Sequence, residues 1–137
     1  MSNIECGFNE IAVIIDKLKK IVAGKDIIVL LQGDLASGKT TLVKAYVESL
    51  GIKDSVTSPT FSLQSRYGDK IYHYDVYNIT LDEFVSMGLL EELEKKGIHF
   101  VEWGGEDFEK LLNDVGMDNI KVKIAIKDDK REYEIDA

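Results

Sequence analysis

The chain is 137 residues long, carries 25 acidic against 17 basic side chains, and is 45% hydrophobic and 31% charged. That length suits a single domain with a real core, and that apolar content excludes an intrinsically disordered chain. A formal net charge of -8 argues against a domain that grips nucleic acid by neutralising its phosphates, so no strong direct nucleic-acid binding is expected.

In chain order, Ile11, Ile14, Ile15, Leu18, Ile21 and Val22 recur at helical spacing, after a candidate N-cap at Asn9 and before a stop at Gly24. Ile27 to Leu31 is an unbroken apolar run of strand length, the pattern of a central parallel strand covered on both faces. It leads through Gly33 into a segment whose Leu42, Val43, Tyr46, Val47 and Leu50 share one helical face, closed by Gly51. Strand, glycine-rich loop and helix in that order make half of a βαβ unit.

Beyond Pro59 the elements shorten. Residues 60–67 and 70–77 read as two strands joined by a two-residue Gly68-Asp69 turn. Thr80 and Glu83 have capping-box spacing, and a further helical piece runs from Leu89 to Lys95. Ile98 to Val101 predicts another buried strand, ending at Glu102, and Phe108, Leu111 and Leu112 give residues 106–112 the buried face of a short helix. Ile120, Val122, Ile124 and Ile126 then alternate with Lys121, Lys123, Ala125 and Lys127, and a last strand is expected at 131–135. The fold class is α/β: a single domain over 1–137, with a mixed parallel and antiparallel sheet flanked by helices on both sides.

The charge is concentrated. Asp82 to Asp118 holds 11 acidic and 3 basic residues, while the rest of the chain holds 14 of each. Cys6 is the single cysteine, so an internal disulfide is excluded. The opening residues MSNIECGFNE contain acids and no basic residue, unlike a secretory or transit signal, and no apolar run approaches the ~18 residues of a membrane span. A reducing, cytoplasmic setting without membrane association is expected.

Gly33-Asp34-Leu35-Ala36-Ser37-Gly38-Lys39-Thr40 is a complete G-x-x-x-x-G-K-[ST] motif between a predicted strand and a predicted helix. In such a loop, backbone N–H groups converge on phosphate oxygens, the lysine reaches the β- and γ-phosphates, and the Thr40 hydroxyl ligates Mg²⁺. The helix that follows adds the positive end of its dipole. A nucleoside triphosphate with Mg²⁺ is therefore the expected ligand. An acidic partner at a neighbouring strand end has two candidates: Glu102, closing Ile98 to Val101, and Asp75, within His73-Tyr74-Asp75-Val76-Tyr77. His73 and His99 read more simply as hydrogen-bonded strand residues, and Trp103 as a core or edge aromatic. Ser58-Pro59-Thr60 places two hydroxyls on a loop stiffened by proline, where P-loop proteins often carry a segment that senses the γ-phosphate, although taken alone it reads first as a simple loop.

Taken together, GDLASGKTT, VTSPTF at 56–61, HYDVY at 73–77 and VEWG at 101–104 resemble the TsaE (YjeE) family, small P-loop ATPases of threonylcarbamoyladenosine synthesis in tRNA. The resemblance implies that Gly33 to Thr41 bind the ATP phosphates, including Thr41. It implies that Thr40 and Glu102 hold Mg²⁺ and that Asp75 lies at the catalytic centre beside Lys39. Ser58, Pro59 and Thr60 would form a switch-like segment, and Trp103 would lie near the nucleotide and a partner surface. The implied partners are the threonylcarbamoyl transferase subunit TsaD and its paralogue TsaB, with weak turnover in isolation. Two positions depart from the family pattern: Ala36-Ser37 stands where a second glycine pair is usual, and Asn78 where arginine commonly follows the motif tyrosine. Arg66 and Arg131 are the candidates to supply that charge in space.

Three other readings share the P-loop. A small-molecule kinase needs a lid and an acceptor pocket, a GTPase needs an N-K-x-D that this sequence lacks, and a nucleotide-gated binding module needs no hydrolysis. The default reading of the acidic segment is a solvated face; the alternative is a surface that either faces a basic patch on the transferase or overlaps the place of tRNA, making the two exclusive.

Overall fold

The computed structural model describes residues 2–7, 11–33, 38–52, 55–57, 63–103, 105–127 and 130–136. The elements are β1 (Ser2–Gly7), α1 (Ile11–Val22), β2 (Ile27–Gln32), α2 (Lys39–Ser49), β3 (Ser55–Thr57), β4 (Gln64–Tyr67) and β5 (Ile71–Asp75), then α3 (Leu81–Ser86), α4 (Leu89–Leu93), β6 (Ile98–Glu102), α5 (Glu106–Asp114), β7 (Asn119–Lys127) and β8 (Lys130–Asp136). All eight strands form one sheet in the order β1-β8-β7-β2-β6-β5-β4-β3. Its centre is parallel, with β2 between β7 and β6 and β6 beside β5. Both flanks are antiparallel, β7-β8-β1 on one side and β5-β4-β3 on the other. The mixed sheet with helices on both faces is the architecture the sequence predicts.

The apolar run of β2 is explained by the layers. Ile27, Val29 and Leu31 point into one core with α1 and α2, through Ile14, Leu18, Leu42 and Val43. Ile28 and Leu30 point into a second core, with Phe84, Leu89, Phe108 and Leu112 from α3, α4 and α5. Period-two alternation places successive side chains on opposite faces, so a strand covered twice must be apolar throughout. The predicted capping box also forms: Thr80 Oγ1 accepts from Glu83 N at 3.1 Å, and Thr80 N donates to Glu83 Oε1 at 3.0 Å.

Four expectations change. The predicted hairpin strands are shorter, 64–67 and 71–75, with residues 60–62 outside the described residues. Tyr67 pairs with Ile71, so the connection is three residues rather than two. Lys70 leaves the ladder because its carbonyl accepts from Ile98 N at 2.8 Å, at the start of β6. Gly97 makes that approach possible, since a Cβ there would lie 2.2 Å from the Lys70 oxygen at a φ of +129°. Helix α5 continues to Asp114, and two strands, β1 and β3, emerge that the sequence pattern does not announce. Asn9 lies outside the described residues. Among the described residues no helix is long and apolar enough to cross a membrane.

Candidate functional site

Strands β2, β6 and β5 end at one edge of the sheet, and the candidate chemistry collects there. Leu31 of β2 and Asp75 of β5 both register with Glu102 of β6. Past Gln32 the chain reaches Gly33; Asp34, Leu35, Ala36 and Ser37 lie outside the described residues, and Gly38 then opens α2. Gly38 sits at a φ of +107°, a conformation side chains with Cβ rarely adopt, and its carbonyl accepts from Leu42 N at 2.9 Å. The first turn of α2, Lys39-Thr40-Thr41, has no acidic residue to offset its dipole.

Lys39 is buried, at 4% exposure, although lysine rarely is without a partner. Its ammonium donates to the Gly33 carbonyl at 2.7 Å, folding back across the loop, and sits 3.8 Å from the centre of the Trp103 ring. One turn position later, Thr40 Oγ1 donates to Glu102 Oε2 at 2.8 Å. The same oxygen receives a hydrogen bond from His73 Nε2. A carboxylate only accepts, so His73 Nε2 carries a proton in this contact.

Glu102 is 5% exposed. Burial alone pushes its carboxyl upward, but hydrogen bonds from His73 and Thr40, with the charges of His73 and Lys39, outweigh burial and hold it below the usual carboxylate range. It is therefore ionised at neutral pH, with an anionic oxygen beside a hydroxyl. Neighbouring ligands of an octahedral Mg²⁺, each at about 2.0–2.1 Å, are about 2.9 Å apart. The Thr40 and Glu102 oxygens are at that separation, both are hard donors, and the pair fits Mg²⁺. The buried ammonium of Lys39 and the α2 N-terminus fit a polyphosphate.

Asp75 stands one strand from Glu102 but is exposed, and its Oδ1 accepts from Tyr77 N at 3.1 Å, bracing the turn after β5. Trp103 is the one non-glycine among the described residues at positive φ, 69°. Its N–H donates to Leu31 O at 2.9 Å, and its ring meets exposed Tyr77 at 4.6 Å between centroids. Ser58, Pro59 and Thr60, the expected switch, lie outside the described residues, as does Gly104.

The structure thus brings Lys39, Thr40, Glu102 and Trp103 together, with Asp75 at their margin. His73 is a hydrogen-bonded strand residue, as read, but its partner is Glu102, which local sequence does not reveal. His99 is structural: Nε2 donates to Lys95 O at 2.7 Å, leaving Nδ1 to accept from Tyr74 OH at 2.9 Å, which itself accepts from Gln64 Nε2 at 3.2 Å. Of the two arginines, Arg66 lies over the Tyr72 ring, 5.2 Å from its centre. Arg131 lies beside Gly38, its Nε 3.7 Å from where a Cβ on that glycine would be.

A family model described as "Threonylcarbamoyl adenosine biosynthesis protein TsaE" matches residues 8–134. A Bacillus subtilis (strain 168) protein named tRNA threonylcarbamoyladenosine biosynthesis protein TsaE is 38% identical over 124 residues, which cover 86% of this chain and 74% of the relative. A Haemophilus influenzae protein of the same name is 35% identical over 122 residues, 86% of this chain and 75% of its own. The crystal structure of Bacillus subtilis YdiB superposes with a TM-score of 0.67 at 28% identity, covering 99% of this chain and 84% of that one.

Proposed function

The chain belongs to the TsaE family of threonylcarbamoyl adenosine biosynthesis proteins, and from that premise we propose that it binds ATP with Mg²⁺ and hydrolyses it in support of threonylcarbamoyladenosine modification of tRNA. The observation that carries the reading is the convergence of a buried lysine, a helix N-terminus and a Thr40–Glu102 oxygen pair at one sheet edge. In this reading the backbone of Gly33 to Thr41 cradles the phosphates, Lys39 exchanges the Gly33 carbonyl for β- and γ-phosphate oxygens, and Thr40 and Glu102 hold the metal. Bound Mg²⁺ supplies neutralisation of the charge that develops on the transferring phosphoryl group. Asp75, or the Ser58-Pro59-Thr60 segment, orients a water in line with the γ-phosphorus. Its oxygen bonds to phosphorus as the bond to the β–γ bridging oxygen breaks, releasing ADP, inorganic phosphate and a proton. His73 keeps the Glu102 carboxylate turned toward Thr40.

Hydrolysis on this reading serves an assembly with TsaD and TsaB in the cytoplasm, and Trp103 with Tyr77 lies where nucleotide and partner meet. The test is phosphate release from ATP and GTP by the chain alone and with both partner subunits, alongside tRNA modification in the same mixture. ATP-selective turnover that rises with the partners is expected, and Lys39→Ala and Glu102→Ala are expected to abolish it. Undiminished turnover in either variant refutes the site. ATP-controlled partner binding without any phosphate release replaces the ATPase by a nucleotide-gated module.

A further inference from the structure

We infer that His73 is a positioning residue that sets Mg²⁺ affinity, by keeping its hydrogen bond on Glu102 Oε2 when the Thr40 hydroxyl gives up its own to the ion. The inference rests on the reading of this edge as a Mg²⁺–ATP site. His73 is buried, at 9% exposure, and its ring N–H is spent on Glu102. Thr40 Oγ1 donates to that same oxygen at 2.8 Å. A carboxylate oxygen offers about two lone-pair positions, so these two donors fill Oε2 in the free chain. The two bonds differ in what a cation does to them. An ion held by both Thr40 and Glu102 displaces the hydroxyl proton from the line between their oxygens, and that bond is lost. His73 turns a protonated nitrogen to Glu102, so in this contact it is a donor and not a ligand, and the ion leaves its bond standing.

Strand register explains why the donor is a histidine two residues back. In the ladder between β5 and β6, Asp75 stands opposite Glu102 and His73 opposite Phe100. The directly facing residue is thus a second acid, which only accepts and gives Glu102 no hydrogen bond while ionised. Its Oδ1 accepts from Tyr77 N instead, at the exposed end of the strand. Alternation puts His73 on the same face as Asp75, and its ring reaches Glu102 on the diagonal. A carboxylate tethered by Thr40 alone would be free to turn once the metal took that hydroxyl. Hydrogen bonds behind a metal ligand of this kind are typically worth about 10–100-fold in metal affinity.

Thermal melts of the full chain at saturating ATP, first in EDTA and then across a Mg²⁺ series, compare the natural protein with His73→Gln, His73→Phe and His73→Asn. Glutamine carries an amide N–H near the place of Nε2, whereas phenylalanine keeps the ring and loses the donor. Asparagine ends short of that place and replaces phenylalanine as the donor-less variant should His73→Phe fail to fold. The readout is the Mg²⁺ concentration that gives half of the metal-dependent stabilisation. A merely structural role lowers every melt alike and leaves that concentration unmoved. His73→Phe and His73→Asn are expected to raise it by at least about tenfold, and His73→Gln to stay within about threefold of the natural chain. The stabilisation by ATP in EDTA is expected to be the same in all four proteins. Donor-less variants within about threefold of the natural chain overturn the assignment, as does a loss in His73→Gln as large as theirs. An ATP shift in EDTA that falls along with the metal effect also overturns it, since the damage then extends beyond the metal. A natural chain that ATP stabilises without any further effect of Mg²⁺ overturns the metal reading itself, and this assignment with it.

Discussion

Replacing Glu102 by glutamine separates its structural role from its proposed metal-binding role, because both of its hydrogen bonds fall on one oxygen. Thr40 Oγ1 and His73 Nε2 each donate to Oε2. A glutamine amide oxygen in that place accepts both, so the connectivity survives and the charge is lost. A hydrogen bond to a charged group is worth about 1.5–3 kcal/mol and a neutral one about 0.5–1.5 kcal/mol, so two bonds lose roughly 2 kcal/mol. Relief from burying a carboxylate offsets part of that, for a net loss of about 1–2 kcal/mol, or roughly 4–8 °C in melting temperature for a chain of this size. Alanine instead leaves two donors without their acceptor, at about 1–3 kcal/mol each, and is expected to melt earlier than glutamine. Thermal melts with ATP in EDTA and in Mg²⁺ supply the functional arm: Glu102→Gln keeps the shift produced by ATP alone and loses the extra shift produced by Mg²⁺. The pH arm has a fixed sign. The folded-state carboxyl lies below its ordinary 4.5, so its contribution is fully present above that value and disappears as pH falls through the folded-state value. The stability gap between the natural chain and Glu102→Gln must therefore close on acidification below about pH 4.5. A Mg²⁺-dependent shift retained in Glu102→Gln, or a gap that does not change with pH, refutes the reasoning.

Gly97→Ala brings a Cβ to 2.2 Å from the Lys70 backbone oxygen at a φ of +129°, and a loss of at least about 3 kcal/mol is predicted. A lowered urea midpoint with unchanged slope measures it, and a loss below about 1 kcal/mol contradicts it. Tyr74→Phe removes the donor to His99 Nδ1 and is expected to cost about 1–3 kcal/mol in the same assay. Burial holds His99 below its ordinary 6.5, against the pull of the Lys95 carbonyl. The unfolded chain therefore takes up a proton that the folded chain refuses, and His99 lowers stability as pH falls through 6.5. Comparing unfolding free energy at pH 7.5 and 5.5 in the natural chain and His99→Gln checks this; equal pH dependence in both removes His99 as the cause. Finally, on the proposed reading ATP draws the Lys39 ammonium from the indole of the only tryptophan, so Trp103 emission is expected to change on binding and the response to be absent in Lys39→Met. Constant emission at ATP levels that equilibrium dialysis shows to be saturating refutes it.

The elements legible in the sequence are those with local causes. Ile27 to Leu31 reads as a central strand because both faces are covered, and Thr80 with Glu83 reads as a cap because its two bonds span three residues. The hairpin length is misread because Lys70 is withdrawn by Ile98, a partner distant in sequence. Strand β1 has no clean alternation, and its place is set by the free edge of β8. The same division runs through the site. Lys39 and Thr40 follow from fixed offsets in a loop, and Glu102 from the end of an apolar run. The partnership of His73 with Glu102 and the approach of Arg131 to Gly38 arise from strand order, which no local window contains.

The backbone of Trp103 is anchored. Its N–H is held by Leu31, the last residue but one of β2, and its left-handed φ sits directly after a strand in full register. With the peptide fixed, the response to a nucleotide is expected to be a local change at the partly buried indole, in its contacts with Lys39 and Tyr77, that needs no rearrangement of the backbone. In stopped flow, the emission trace should follow the encounter itself, with an observed rate that climbs linearly with ATP concentration. A rate that levels off at high ATP would instead place a slow rearrangement of the chain between arrival and signal.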